Sequence, residues 1–167
     1  MTPLGAVLRG LVAGAVGTLA MDSLWYLRYR RGGGKDSFAT WEFSAGVKTW
    51  EEAPAPAQVG RRLVEGVFQR KLDDRYAAVV NNITHWGYGM SAGAVYGVLA
   101  GSLRKPRSAY GPPFGAAVWG TSYAVLPAAG LYKQIWEYDR KTLAKDLSAH
   151  LVFGATTGAV FRALKVI

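Results

Sequence analysis

His85 to Leu99 reads HWGYGMSAGAVYGVL, and sixty-five residues later His150 to Leu164 reads HLVFGATTGAVFRAL. The two align without a gap: His85 falls on His150, Tyr88 on Phe153, Gly89 on Gly154, Ser91 on Thr156, Gly93-Ala94-Val95 on Gly158-Ala159-Val160, Tyr96 on Phe161 and Leu99 on Leu164. A second copy of one helix is the economical explanation. In the first copy Gly89, Gly93, Gly97 and Gly101 stand four apart and so fall near one helical face; Gly154 and Gly158 repeat the spacing in the second. Glycine costs a soluble helix on the order of 1 kcal/mol against alanine, so a bundle in water gains little by stacking it. Lipid changes the balance, because small residues let backbones approach where no hydrophobic force drives helices together.

The distribution of charge agrees with lipid. No Asp, Glu, Lys or Arg occurs in the 28 residues between Arg75 and Arg104 or in the 25 between Arg107 and Lys133, and about 20 apolar residues span a bilayer. Two weaker segments flank these. Leu4 to Leu27 contains Arg9 and Asp22, and Leu147 to Phe161 is an uncharged run of 15 residues that gains support from its twin. Mean hydropathy is only +0.07, since 21 glycines and a basic middle section dilute these stretches. Four transmembrane helices at about 4–27, 78–101, 113–132 and 147–165 are therefore expected, as one all-α membrane domain of two repeated hairpins. Gly10 and Gly14 give the first span its own close-packing pair. Ala15 to Thr18, AVGT, is echoed by Ala117 to Thr121, AVWGT, in the third, where Pro127 is placed to kink the helix.

Residues 28–75 form the one large extramembrane insertion, with ten Lys/Arg against seven Asp/Glu. Trp41, Phe43, Val47 and Trp50 predict a short segment at the membrane surface. Beyond the break at Ala53-Pro54-Ala55-Pro56, Val59, Leu63, Val67 and Phe68 read as the apolar side of a basic amphipathic helix, either interfacial or packed on its own protein. The first apolar segment runs into Trp25, Tyr26 and basic residues instead of a cleavage site, so it is expected to be retained. Loops 28–75 and 133–146 carry most of the basic residues, which places them in the cytoplasm and both termini outside. Trp25, Tyr26, Tyr29, Tyr132, Trp136 and Tyr138 then form the inner aromatic belt.

One polar constellation could carry chemistry. Asp22 precedes the end of span one by about five residues, and His85 and His150 follow the starts of spans two and four by as many, so at ~1.5 Å per residue all three reach similar depths. Asn81, Asn82 and Thr84 join them. Intramembrane ionisable groups point by default to function. Three readings stand: a histidine at a helix start that bonds Asp22 or a backbone carbonyl and locks the bundle; proton or small-solute passage through the Asp/His cluster; and a metal or haem held by His85 and His150. No cysteine is present, which removes thiolate metal sites and disulfides. Gly89-Met90-Ser91-Ala92-Gly93 fits the GxSxG pattern of a nucleophile elbow, but that motif needs a strand and a sharp turn, so no catalytic residue is assigned and an enzyme is not expected.

His85 with Tyr96-Gly97, Pro127 with Gly130-Leu131, and His150-Leu151-Val152 together resemble the YagU-type family of uncharacterised small bacterial inner-membrane proteins. The resemblance covers the second half of the chain and implies a multi-pass protein of the bacterial plasma membrane. It implies no activity. The expectation is a structural, accessory or self-assembling membrane component, whose partners are the bilayer, anionic lipid headgroups and copies of itself or a larger membrane complex, with no nucleic acid.

Overall fold

The computed structural model describes residues 2–44, 47–103 and 108–166, and among these every regular element is helical. Six α-helices follow in order: α1 (Pro3–Arg31), α2 (Phe38–Ser44), α3 (Ala55–Phe68), α4 (Ala77–Gly101), α5 (Gly111–Ala128) and α6 (Arg140–Val166). Two of them, α1 and α6, are long and apolar enough to cross a membrane. In α4, 25 residues long, Asn81, Asn82, His85 and five glycines lower the hydropathy. The loop residues Arg104, Lys105 and Arg107 lie outside the described residues.

Local chemistry sets the helix ends. α1 runs out into Gly32-Gly33-Gly34, where Gly33 takes φ 94°, a value open to glycine without steric cost. Pro54 and Pro56 open α3, where a missing N–H costs nothing. Pro127, which the sequence placed to kink this helix, stands at its end, and α5 stops one residue later. Gly130 at φ 67° lets its own N–H reach Pro127 O at 2.9 Å and that of Leu131 reach Leu126 O at 2.9 Å, satisfying the last carbonyls. α5 thus ends four residues short of the span expected to reach Tyr132.

The chain divides into two compact units, residues 1–25 with 88–167 and residues 26–87. In the first, α1, α4, α5 and α6 all contribute to a common centre, with Ala100 of α4 and Val160 of α6 among its members. Ala13, Tyr96 and Phe161 are buried there, with Phe114 packed beside them. Tyr96 meets Phe114 at 5.1 Å and Phe161 at 5.7 Å between ring centroids, the latter edge-on at 90°. The repeat-equivalent rings of α4 and α6 therefore pack on each other.

In the second unit Val47, Trp50, Ala57 and Ala77 form a small core. Trp50 is its anchor, at 4 % exposure. Its backbone N–H donates to Asp74 Oδ1 at 3.2 Å, its indole N–H donates to Leu72 O at 3.0 Å, and the Arg61 guanidinium lies 5.2 Å from the centre of its ring. Here the structure corrects the expectation of a surface segment: Val47 and Trp50 are interior, because Trp50 finds partners for both of its N–H groups there. Trp41 joins Tyr26, Tyr29 and Phe38 in a cluster of rings, and Phe43 is left exposed.

Candidate functional site

The glycines do their work in two helix crossings of the first unit. A methyl group at Gly93 would lie 2.5 Å from Gly14 Cα and overlap the Gly10 carbonyl; one at Gly97 would overlap the Ala6 carbonyl. α1 and α4 therefore touch backbone to backbone. α5 and α6 meet in the same manner, a methyl at Gly154 falling 2.7 Å from Gly115 Cα and onto the Gly111 carbonyl. Gly10, Gly14, Gly93, Gly97, Gly154 and Gly158 are thus engaged inside the chain, and Gly111 with Gly115 completes the second crossing. Gly101 ends α4.

The register of these crossings differs from the register of the repeat. Gly93 sits between Gly10 and Gly14, and Gly154 sits in the same relation to Gly111 and Gly115. Sequence alignment instead pairs Gly154 with Gly89, so the second crossing is slipped by one turn, about 5.4 Å. His150, whose carbonyl faces Gly115, has Gly89 as its packing counterpart rather than His85. The AVGT echo has no structural counterpart either. Gly17 packs on Thr157 and Phe153, and Gly89 on Thr18, whereas Gly120 has open space beside it.

Thr18 and Thr157 are the most deeply buried polar side chains of the first unit. Each donates its hydroxyl to the carbonyl four residues back, Thr18 to Gly14 O at 2.9 Å and Thr157 to Phe153 O at 2.8 Å. Bonding within its own helix satisfies the hydroxyl and turns its methyl and oxygen toward the glycine opposite.

The residues of the polar constellation divide between the units. Asp22, 5 % exposed, and His150 belong to the first; Asn81, Asn82, Thr84 and His85 lie in the N-terminal half of α4 in the second. His150 Nδ1 is 3.0 Å from Asp146 O and 3.4 Å from Asp146 Oδ1. A carbonyl only accepts, so Nδ1 carries a proton and donates it to Asp146 O. Asn82 donates to Phe43 O at 3.3 Å and to Ala78 O at 3.0 Å, Thr84 packs against Gly60, and Asn81 Oδ1 is buried and accepts no hydrogen bond. Trp86 donates its indole N–H to the buried Glu42 carboxylate at 2.8 Å.

Sequence reasoning missed the surroundings of His150. Tyr123, Tyr132 and Tyr138 pack mutually, tilted or edge to face, with centroids 5.3 to 6.2 Å apart, and the Asp146 carboxylate acts on both Tyr123 and Tyr132. In the loop beyond α5, burial and then the Asp146 charge push the Tyr132 hydroxyl up to about 12, so it stays protonated. The signal was present: Asp146 stands four residues before His150, the spacing at which helix neighbours meet. Among the described residues no group of three or more His, Cys, Asp or Glu is placed to hold a metal ion. Ser91 of the GxSxG pattern lies on an uninterrupted stretch of α4 with Gly93 shut against α1, which leaves no nucleophile elbow.

Comparison with protein-family models, with characterised proteins and with solved structures finds no match to this chain.

Proposed function

We propose that the chain is a small multi-pass membrane protein in which α1, α4, α5 and α6 cross the bilayer as two hairpins, and that it serves as a structural or accessory component of the bacterial plasma membrane. One observation carries this reading: the polarity of the first unit is inverted relative to a protein made for water. On α1 the buried positions are Ala6, Gly10, Ala13, Gly14, Gly17, Thr18 and Asp22, while Leu4, Leu8, Val12, Val16 and Leu19 are 38 % to 68 % exposed. α4 follows the same rule, with Gly89, Gly93 and Gly97 inside and Val95, Val98 and Leu99 outside. In water such a stripe forfeits on the order of 1 kcal/mol per half-exposed side chain, and monomeric soluble proteins seldom carry one so continuous. Acyl chains remove the penalty. Small residues inside and large apolar ones outside is the arrangement that lipid favours.

Since the glycine ladders are spent within the chain, association with copies or with a larger complex would use the outward Leu and Val faces. The resemblance to YagU-type proteins points the same way, and the charge pattern sets loops 28–75 and 133–146 in the cytoplasm. Extraction tests the membrane reading: the protein should stay with membranes through alkaline carbonate and need detergent for release. A chain freed by carbonate refutes it. Cross-linking in native membranes followed by mass spectrometry tests the accessory role, which a chain linked neither to itself nor to a specific partner would overturn.

A second reading rests on Asp22, whose burial within an apolar helix is the usual mark of an ion or proton path. Asp22→Asn should then abolish a pH-driven flux in proteoliposomes, and absence of flux from the native chain under any gradient removes the reading. A metal or haem on His85 and His150 is decided by elemental and absorbance analysis of gently purified protein beside the His85→Ala, His150→Ala variant.

A further inference from the structure

We propose that the outer side of α3 docks on a membrane surface bearing anionic lipid headgroups, an inference that rests on the membrane reading above. The apolar arc of α3 covers about half its circumference, with residues advancing 100° each. Its first turns are consumed by packing. Ala57 and Gly60 are buried, and a methyl at Gly60 would lie 2.5 Å from Val80 Cγ1 and overlap the Thr84 hydroxyl. Its C-terminal turns are not: Leu63, Val67 and Phe68 are 63 %, 73 % and 68 % exposed. The core of the unit closes around Trp50 without them.

Charge selects the occupant. Glu65 is the one acidic residue of α3, and its carboxylate is engaged, accepting from Arg61 Nε at 3.0 Å and from the Leu72 N–H at 2.8 Å. The next carboxylates, Asp73 and Asp74, accept the backbone N–H groups of Arg75 and Trp50. The exposed arc therefore carries no acid. Gln69, in the left-handed conformation at φ 53°, ends the helix directly after Phe68, and exposed Arg70 and Lys71 follow at once. An apolar ridge followed by cations matches a helix lying in the headgroup layer, apolar side down and basic groups among phosphates.

The test uses the full chain, whose lack of cysteine makes single-site labelling clean. Val67→Cys is labelled with an environment-sensitive fluorophore and reconstituted in vesicles of phosphatidylcholine, alone or with about a third phosphatidylglycerol. Docking predicts that quenchers on the lipid chains reach the label and aqueous iodide does not, and that the contrast is larger with phosphatidylglycerol. Arg70→Gln with Lys71→Gln should lower the ratio of docked to undocked helix about thirtyfold. A label at Leu8→Cys, on the outward side of α1, reports the membrane reading separately. If Leu8 is lipid-quenched while Val67 remains open to iodide in both vesicles, docking alone is overturned. A Val67 label shielded from both quenchers shows a protein cover and also overturns it, as does insensitivity to the two charge neutralisations. If Leu8 is not lipid-quenched, the membrane reading falls and docking with it.

Discussion

Gly93→Ala and Gly87→Ala place the same methyl group six residues apart on α4, and the structure predicts opposite signs. At Gly93 the added carbon falls 2.5 Å from Gly14 Cα and 2.6 Å from Gly14 N. Carbon contacts settle near 3.5 to 4.0 Å, so the helices must part by about 1 Å, and a gap of that size forfeits a quarter to a half of each dispersion contact along the seam. Every neighbour is backbone, and no rotamer change relieves the overlap. Overpacking of this kind costs about 1–3 kcal/mol, and alanine returns about 1 kcal/mol as the better helix former. Starting from the upper part of the range, the net loss is about 2 kcal/mol. At Gly87 nothing lies within 4 Å of the new carbon, so only the propensity gain remains and the variant should be stabilised by up to about 1 kcal/mol. Unfolding in mild detergent with added dodecyl sulfate, followed by tryptophan fluorescence, measures both. A Gly93→Ala protein as stable as the native one, or two variants shifted in the same direction, would refute the backbone contact.

Gly89→Ala should destabilise by bringing a methyl onto the Thr18 hydroxyl, and Thr18→Ala should relieve it; a double-mutant cycle is expected to show favourable coupling of about 1 kcal/mol, and simple additivity would show that the two do not touch. Trp50→Phe removes the bond from its indole N–H to Leu72 O and should cost about 1–2 kcal/mol, read as faster proteolysis within residues 47–75 while the first unit keeps its resistance. Glu65 titrates below its ordinary value of 4.5, held down first by the Leu72 N–H and then by Arg61. Its hold on the turn after α3 is therefore complete above that value and is lost as pH falls through the lower folded one. A carboxyl titration by NMR should show the depressed midpoint, and Glu65→Gln should abolish the acid-dependent loosening of residues 69–72.

The helices themselves were legible. Uncharged runs and four-residue glycine spacing placed α1, α4 and α6 within a few residues of their observed bounds, apart from the first two turns of α6, whose charged residues hide it from a hydropathy argument. What the spacing could not convey was partnership. A glycine ladder shows that something approaches closely, yet not what: Gly154 meets Gly111 and Gly115, a pair four apart like Gly10 and Gly14. Nor could alignment reveal the slipped register, because Gly89 and Gly93 are equally small and only contact with Thr18 or Gly14 tells them apart. For the polar constellation, depth along the expected spans grouped Asp22, His85 and His150, whereas the contact His150 makes is with Asp146, one turn away on the same helix. Trp50 misled for a related reason: an aromatic near a span suggests an interface until its two N–H groups are seen to be bonded inside.

The two backbone crossings of the first unit also have mechanical content. Each pair of helices is pinned where bare glycines meet, like blades at a rivet, and with no side chain in the joint there is no rotamer to flip and little to compress. Sliding is blocked by the carbonyls that fill the opposite groove. What remains soft is rotation about the pin, a scissoring that changes the splay of the helix ends while the contact at the centre is conserved. In the proposed membrane arrangement, bilayers of different thickness would be matched by a change of angle at two rivets, set one turn out of step and braced by the Tyr96 and Phe161 rings between them.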